Sequence, residues 1–122
     1  MTEKPRKDII MAIDIEYMES ESALKRVGNN VNLYKRLLNV YLADNYIEEL
    51  CAAIESGNNA GTAELAHTIK GVCANLSLNK LKNLSADIDQ KAKAGQDCKD
   101  MIPELRAVFE KTVENINEYL NS

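Results

Sequence analysis

Apolar residues recur at spacings of three and four along most of the chain, the period of a half-buried helix and not the strict alternation of a strand. Between Val31 and Glu55 the series Leu33, Leu37, Val40, Tyr41, Ile47, Leu50, Cys51 and Ile54 predicts one long helix, with a mild interruption around Asn45. A shorter helix is predicted ahead of it from Ile15 to Val27, carrying Met18, Ala23, Leu24 and Val27. A third runs from Asn59 to Leu76, a fourth from Asn79 to Ala94 with Leu81, Leu84, Ile88 and Ala92 inward, and a fifth from Asp100 to Leu120. Gly28, Gly57 and Gly95 each close a periodic segment, and Asn or Asp follows within a few residues, the pattern of a helix stop and a new N-cap. Pro103 falls in the first turn of the fifth helix, where the missing N–H costs nothing. Four long helices joined by short loops must alternate in direction. The expected fold is therefore all-α: an up-down-up-down antiparallel four-helix bundle with a short additional N-terminal helix. Residues 1–12 are expected to form a leader and residues 13–122 the single bundle domain.

One helix carries an unusual surface. With about 100° per residue, Leu65, Ile69, Val72, Cys73 and Leu76 gather on one side of the third helix. His67, the only histidine in the chain, falls about 180° from the middle of that stripe. On its own side the same arithmetic places Ala60, Ala63, Lys70, Gly71 and Ala74, so an imidazole and an ammonium stand among very small side chains.

Composition narrows what this surface can serve. A net charge of −4 argues against nucleic acid, which requires a concentrated basic face. No apolar run approaches the roughly 20 residues that span a bilayer, and the charged start of the chain lacks a secretory cleavage pattern, so a cytoplasmic protein without membrane contact is expected. The three cysteines, Cys51, Cys73 and Cys98, lack a C-x-x-C spacing and are expected to be reduced, mostly buried thiols without a metal. The five glycines are too scattered to form a phosphate-cradling loop, which removes kinase and ATPase chemistry. A hydrolytic triad is improbable because the lone histidine faces solvent in mid-helix without a local orienting acid.

What remains is nucleophilic chemistry at His67. A neutral imidazole is available near neutral pH to attack a phosphoryl group brought by another protein. Lys70 lies on an adjacent part of the same surface and can offset charge on the incoming oxygens. Gly71, one turn on, removes a side chain that would crowd the approach. A glycine inside a helix costs roughly 1 kcal/mol relative to alanine, and by the angular count this one faces outward instead of into a helix contact.

The run Ala66-His67-Thr68-Ile69-Lys70-Gly71-Val72-Cys73-Ala74-Asn75-Leu76 resembles the signature of histidine-containing phosphotransfer (HPt) domains. Ile13-Asp14, Gly28-Asn29-Asn30, Leu33-Tyr34 and Leu37-Leu38 are similar to that family's lead-in, and Asp89 to Gly95 to its element in the next helix. The resemblance implies that His67 is the phosphoacceptor, that Lys70 assists the phosphoryl group and that Gly71 keeps access open. It implies a relay without autokinase activity, binding no cofactor of its own. Its partners would be response-regulator receiver domains, which supply Mg²⁺, and a hybrid sensor histidine kinase. Ser77 stands where many members have glycine, Asn58 where an aspartate often precedes the third helix, and Tyr41 replaces a common phenylalanine. These departures touch helix boundaries and not the acceptor.

Two functions fit these residues. One is a phosphoryl carrier modified transiently on His67; the other is a non-catalytic docking or inhibitory module that binds a receiver or a histidine kinase. The combination of His, Lys and Gly on one face favours the carrier. A monomer is expected, because the accessible face is needed for docking.

Overall fold

The computed structural model describes residues 14–121, and the leader assigned to residues 1–12 lies outside them. Among the described residues the chain forms six α-helices: α1 (Ser20–Arg26), α2 (Val31–Ala43), α3 (Tyr46–Glu55), α4 (Asn59–Leu76), α5 (Asn79–Lys93) and α6 (Ile102–Leu120), with a 3₁₀ turn at Lys99–Met101 before α6. Among those residues there is no strand. Helix α4 is central: it packs most extensively on α5, then on α3, and also touches α1 and α2, while α6 closes against α5, α2 and α3.

The boundaries of α4 and α5 agree with the apolar period to within a residue. Three expectations need correction. The single helix from Val31 to Glu55 is two, because Asp44 is extended (φ −80°, ψ 152°) and Asn45 is non-helical. Tyr41 and Ile47, which an unbroken helix would set about 120° apart, are both buried on either side of this break. The first helix starts at Ser20 instead of Ile15. The Asp14 carbonyl accepts from both Tyr17 and Met18 and its side chain takes the Glu16 amide at 3.0 Å, a local turn that competes with helix. The Glu19 amide then donates to the Ser77 carbonyl at 2.9 Å, so helix begins afresh one residue on. The last helix is preceded by a 3₁₀ turn and begins at Ile102, with Pro103 in its first turn.

The core face of α2 also differs from the expected stripe. Tyr34, Leu38 and Tyr41 are buried, whereas Leu37 and Val40 remain 37% and 55% exposed and Leu33 is half-buried. Tyr34 lies edge-on to Tyr119 of α6 and donates its hydroxyl to the Leu76 carbonyl at 2.9 Å, tying both neighbours to the end of α4. Inward positions Leu81, Leu84, Ile88 and Ala92 on α5 are all buried as the pattern predicts. Fully burying a leucine or isoleucine contributes roughly 1.5–3 kcal/mol. Ile69, Leu81 and Ile88, buried across the extensive α4–α5 contact, therefore fix the helix that carries His67.

Both ends of α4 are capped by side chains. Asn58 accepts the Gly61 amide at 2.9 Å, and a Cβ on Gly61 would come within 2.6 Å of the Asn58 side chain, so this cap depends on glycine there. At the other end Ser77 is left-handed (φ 56°, ψ 40°), a conformation glycine adopts more readily. Its buried hydroxyl meets Ser22 Oγ at 2.6 Å and accepts from Arg26 at 2.7 Å, binding α1 to the α4–α5 turn. Ser77→Gly gives back about 1 kcal/mol of backbone cost but loses two hydrogen bonds, one of them charge-assisted and worth roughly 1.5–3 kcal/mol. A net loss of about 1–2 kcal/mol in a urea melt is expected; a gain would show that backbone strain outweighs the α1 tether.

Candidate functional site

His67 sits at mid-length of α4 with its side chain 65% exposed, so the imidazole presents one edge to solvent. The side opposite it holds the buried Ile69 and Cys73, as the angular count requires, with Leu65 and Val72 half-buried. The small-residue surface is less open than expected. Ala60 and Gly71 are exposed, Lys70 and Ala74 are half-buried, and Ala63 is buried, because α5 covers part of that side of α4. Lys70 makes no hydrogen bond or ion pair among the described residues. A Cβ on Gly71 would meet nothing within 4 Å, so no helix contact within the chain requires glycine there.

The sequence shows no local orienting acid beside the histidine and assigns Asp89 no part in the site, yet the structure brings Asp89 next to His67. The acid comes from α5: Asp89 Oδ2 lies 3.4 Å from His67 Nδ1, with the Asp89 side chain only 5% exposed. The Lys93 ammonium, one turn further along α5, donates to that same Oδ2 at 3.4 Å and lies 3.3 Å from Oδ1, which is buried without a hydrogen-bond partner. Asp89 thus turns one oxygen toward both the imidazole and the ammonium. A signal was present, since Asp89 shares an arc of α5 with the inward-facing Ser85 and Ala92, and an acid within a buried stripe needs a partner.

With Nδ1 turned toward Asp89, Nε2 is the nitrogen left for chemistry at the surface. Competing nucleophiles are withdrawn. The Thr68 hydroxyl donates to the Glu64 carbonyl at 3.1 Å, and burial pushes the Cys73 thiol up to about 12, far from its reactive range. Cys51 and Cys98 are also buried and free, and burial raises both. Among the described residues no three His, Cys, Asp or Glu side chains gather in a manner that could hold a metal ion, and no helix is long and apolar enough to cross a membrane.

The model of one protein family, described as the Hpt domain, matches residues 37–117, which include α4, α5 and every residue of the His67 surface named above. No curated protein and no solved structure matches the chain.

Proposed function

The chain belongs to the Hpt domain family, and from that premise we propose that it is a phosphorelay intermediary whose His67 accepts a phosphoryl group from a receiver-domain aspartate and passes it to the aspartate of another receiver. Members of this family are phosphocarrier modules of two-component signalling and not classical enzymes. The observation that carries the reading is the mid-helix imidazole, 65% exposed, with Nδ1 against a buried carboxylate and Nε2 at the surface. In the loading step Nε2 attacks the phosphorus, the bond from phosphorus to the aspartyl oxygen breaks, and the leaving electron pair returns to the receiver carboxylate. Unloading is the reverse with a second receiver.

The roles of the neighbours follow from their place on α4. Lys70 is free to turn its ammonium to the phosphoryl oxygens, and Gly71 leaves the approach to Nε2 clear. Mg²⁺ and the acceptor aspartates belong to the receivers, and a hybrid sensor histidine kinase feeds the relay. The same reading makes the protein a cytoplasmic monomer whose bundle occupies residues 13–122. In that bundle α2 and α3 together, α4, α5 and α6 run up-down-up-down, with α1 as the short additional helix. The two-residue turn between α4 and α5 supports that alternation.

The test is to incubate the protein with a phosphorylated receiver and follow the label. An acid-labile, base-stable modification on this chain supports the proposal, and the absence of label from a panel of cognate receivers that do bind overturns it. Lys70→Ala is expected to slow transfer roughly ten-fold, about 1.4 kcal/mol of transition-state stabilisation, the size of one charge-assisted hydrogen bond. Its thermal midpoint should not change, because Lys70 has no partner within the described chain. An unchanged transfer rate would remove the role given to it.

A further inference from the structure

Glu64 takes no part in the chemistry described above, yet it stands on α4 one turn before the acceptor. With about 100° per residue, Glu64 and Gly71 fall within roughly 20° of each other, one on each side of His67 along the axis. Lys70 falls on the opposite flank of His67, next to the Ala63 position that α5 covers. The strip that Gly71 leaves bare therefore runs past the imidazole and ends at a carboxylate.

That carboxylate is exposed and has no hydrogen bond or ion pair among the described residues. Its neighbours three and four positions away on the helix are Ala60, Gly61, His67 and Thr68, so no lysine or arginine of α4 is placed to pair with it. Lys70 is six residues on, about 9 Å along the axis, and the Lys93 ammonium is held by Asp89. A surface that brings phosphorus to Nε2 also covers Glu64, because side chains three apart on a helix have Cβ atoms only about 5–6 Å from each other. Covered without a partner, the carboxylate would lose its water and face the negative phosphoryl group, both unfavourable. A cationic side chain on the docking protein removes both penalties, whereas an acid in its place adds a like-charge contact.

On the reading of His67 as the acceptor, we propose that Glu64 is a specificity-determining residue of the docking face. It pairs with an arginine or lysine on the receivers this carrier serves and rejects receivers that place an acid or an apolar group there. Lys70 then meets the phosphoryl oxygens on one flank of His67 while Glu64 meets the receiver itself on the other, which fixes the direction in which the receiver lies across α4.

The test measures receiver-dependent transfer to full-length wild type, Glu64→Gln and Glu64→Lys beside loading from phosphoramidate, a small anionic donor that needs no receiver. In that loading Nε2 attacks the phosphorus, the P–N bond of the donor breaks, and ammonia leaves with the electron pair. With a receiver that serves the wild type, the second-order rate of transfer at low salt should fall about ten-fold in Glu64→Gln and about 100-fold in Glu64→Lys, chiefly through weaker receiver binding. The gap between wild type and Glu64→Gln should narrow in about 0.5 M salt, which screens an exposed pair. Loading from phosphoramidate should move the other way, rising about two-fold in Glu64→Gln, because a negative charge near Nε2 has been removed. A damaged fold does not lower one rate and raise the other. Receiver-dependent rates that are equal in all three proteins, or that rise in Glu64→Gln together with phosphoramidate loading, overturn the inference and leave the carrier reading intact. A gap that salt leaves unchanged does the same. Failure of wild-type His67 to load from phosphoramidate or from any receiver overturns the carrier reading itself.

Discussion

Replacing His67 with glutamine is expected to abolish label transfer from a phosphorylated receiver while leaving receiver binding within about three-fold, less than 1 kcal/mol. The two halves of this result have separate physical grounds. Transfer disappears because no second nucleophile is within reach of a docked phosphoryl group: Cys73 is buried on the far side of α4, and the Thr68 hydroxyl is committed to the Glu64 carbonyl. Binding survives because glutamine is similar in reach and polarity, and Asp89 keeps its Lys93 partner. The fold should be unaffected as well, since a side chain 65% exposed contributes little to the core. Receiver binding by both proteins with transfer by neither would instead identify a docking module. Label persisting on His67→Gln would place the acceptor elsewhere in the chain. The check is a pull-down of binding alongside the label assay, with both proteins melted under the same conditions.

The parts of this molecule legible in its sequence are those in which one helix explains itself. The orientation of His67 follows from the period of α4 alone, and the start of α4 follows from its cap residue Asn58. Failures occur where a second element decides. Ala63 looks exposed on an isolated helix but is covered once α5 packs beside it. Asp89 is 22 positions from His67 in a different helix, so no local spacing announces their contact of 3.4 Å. The break at Asp44 and Asn45 is a different case, because the evidence was already in the pattern. Tyr41 and Ile47 lie about 120° apart on an unbroken helix, so the mild interruption coincides with a change of phase. On α2 the choice between the Leu33, Leu37, Val40 stripe and the Tyr34, Leu38, Tyr41 stripe is made by Tyr119 and the Leu76 carbonyl, which receive Tyr34. Both stripes are apolar, and periodicity alone does not rank them.

Gly71 offers the largest separation of stability from function. A helical glycine at an exposed position is destabilising by roughly 0.5–1 kcal/mol relative to alanine, because its backbone loses more freedom on folding. A Cβ here would meet nothing within 4 Å, so the usual reason to keep glycine, a close helix contact, does not apply within this chain. Gly71→Ala and Gly71→Gln should therefore both raise the thermal midpoint by a few degrees, the shift corresponding to about 0.5–1 kcal/mol in a domain of this size. Their effects on transfer should diverge. A methyl group projects little above the helix surface, but a glutamine one turn from His67 stands in the path of a receiver that must bring its phosphorus to about 3 Å from Nε2. Displacing reacting atoms by even 1 Å costs on the order of 100-fold, and that loss is expected for receiver-dependent transfer to Gly71→Gln. Phosphoramidate is small enough to pass the added side chain, so its loading of His67 should stay close to wild type. A variant that is stabler, loads normally from the small donor and fails with the receiver would establish that this glycine serves a docked protein. Normal transfer to Gly71→Gln would end the access argument, and a lower thermal midpoint in Gly71→Ala would show that the position serves the fold instead.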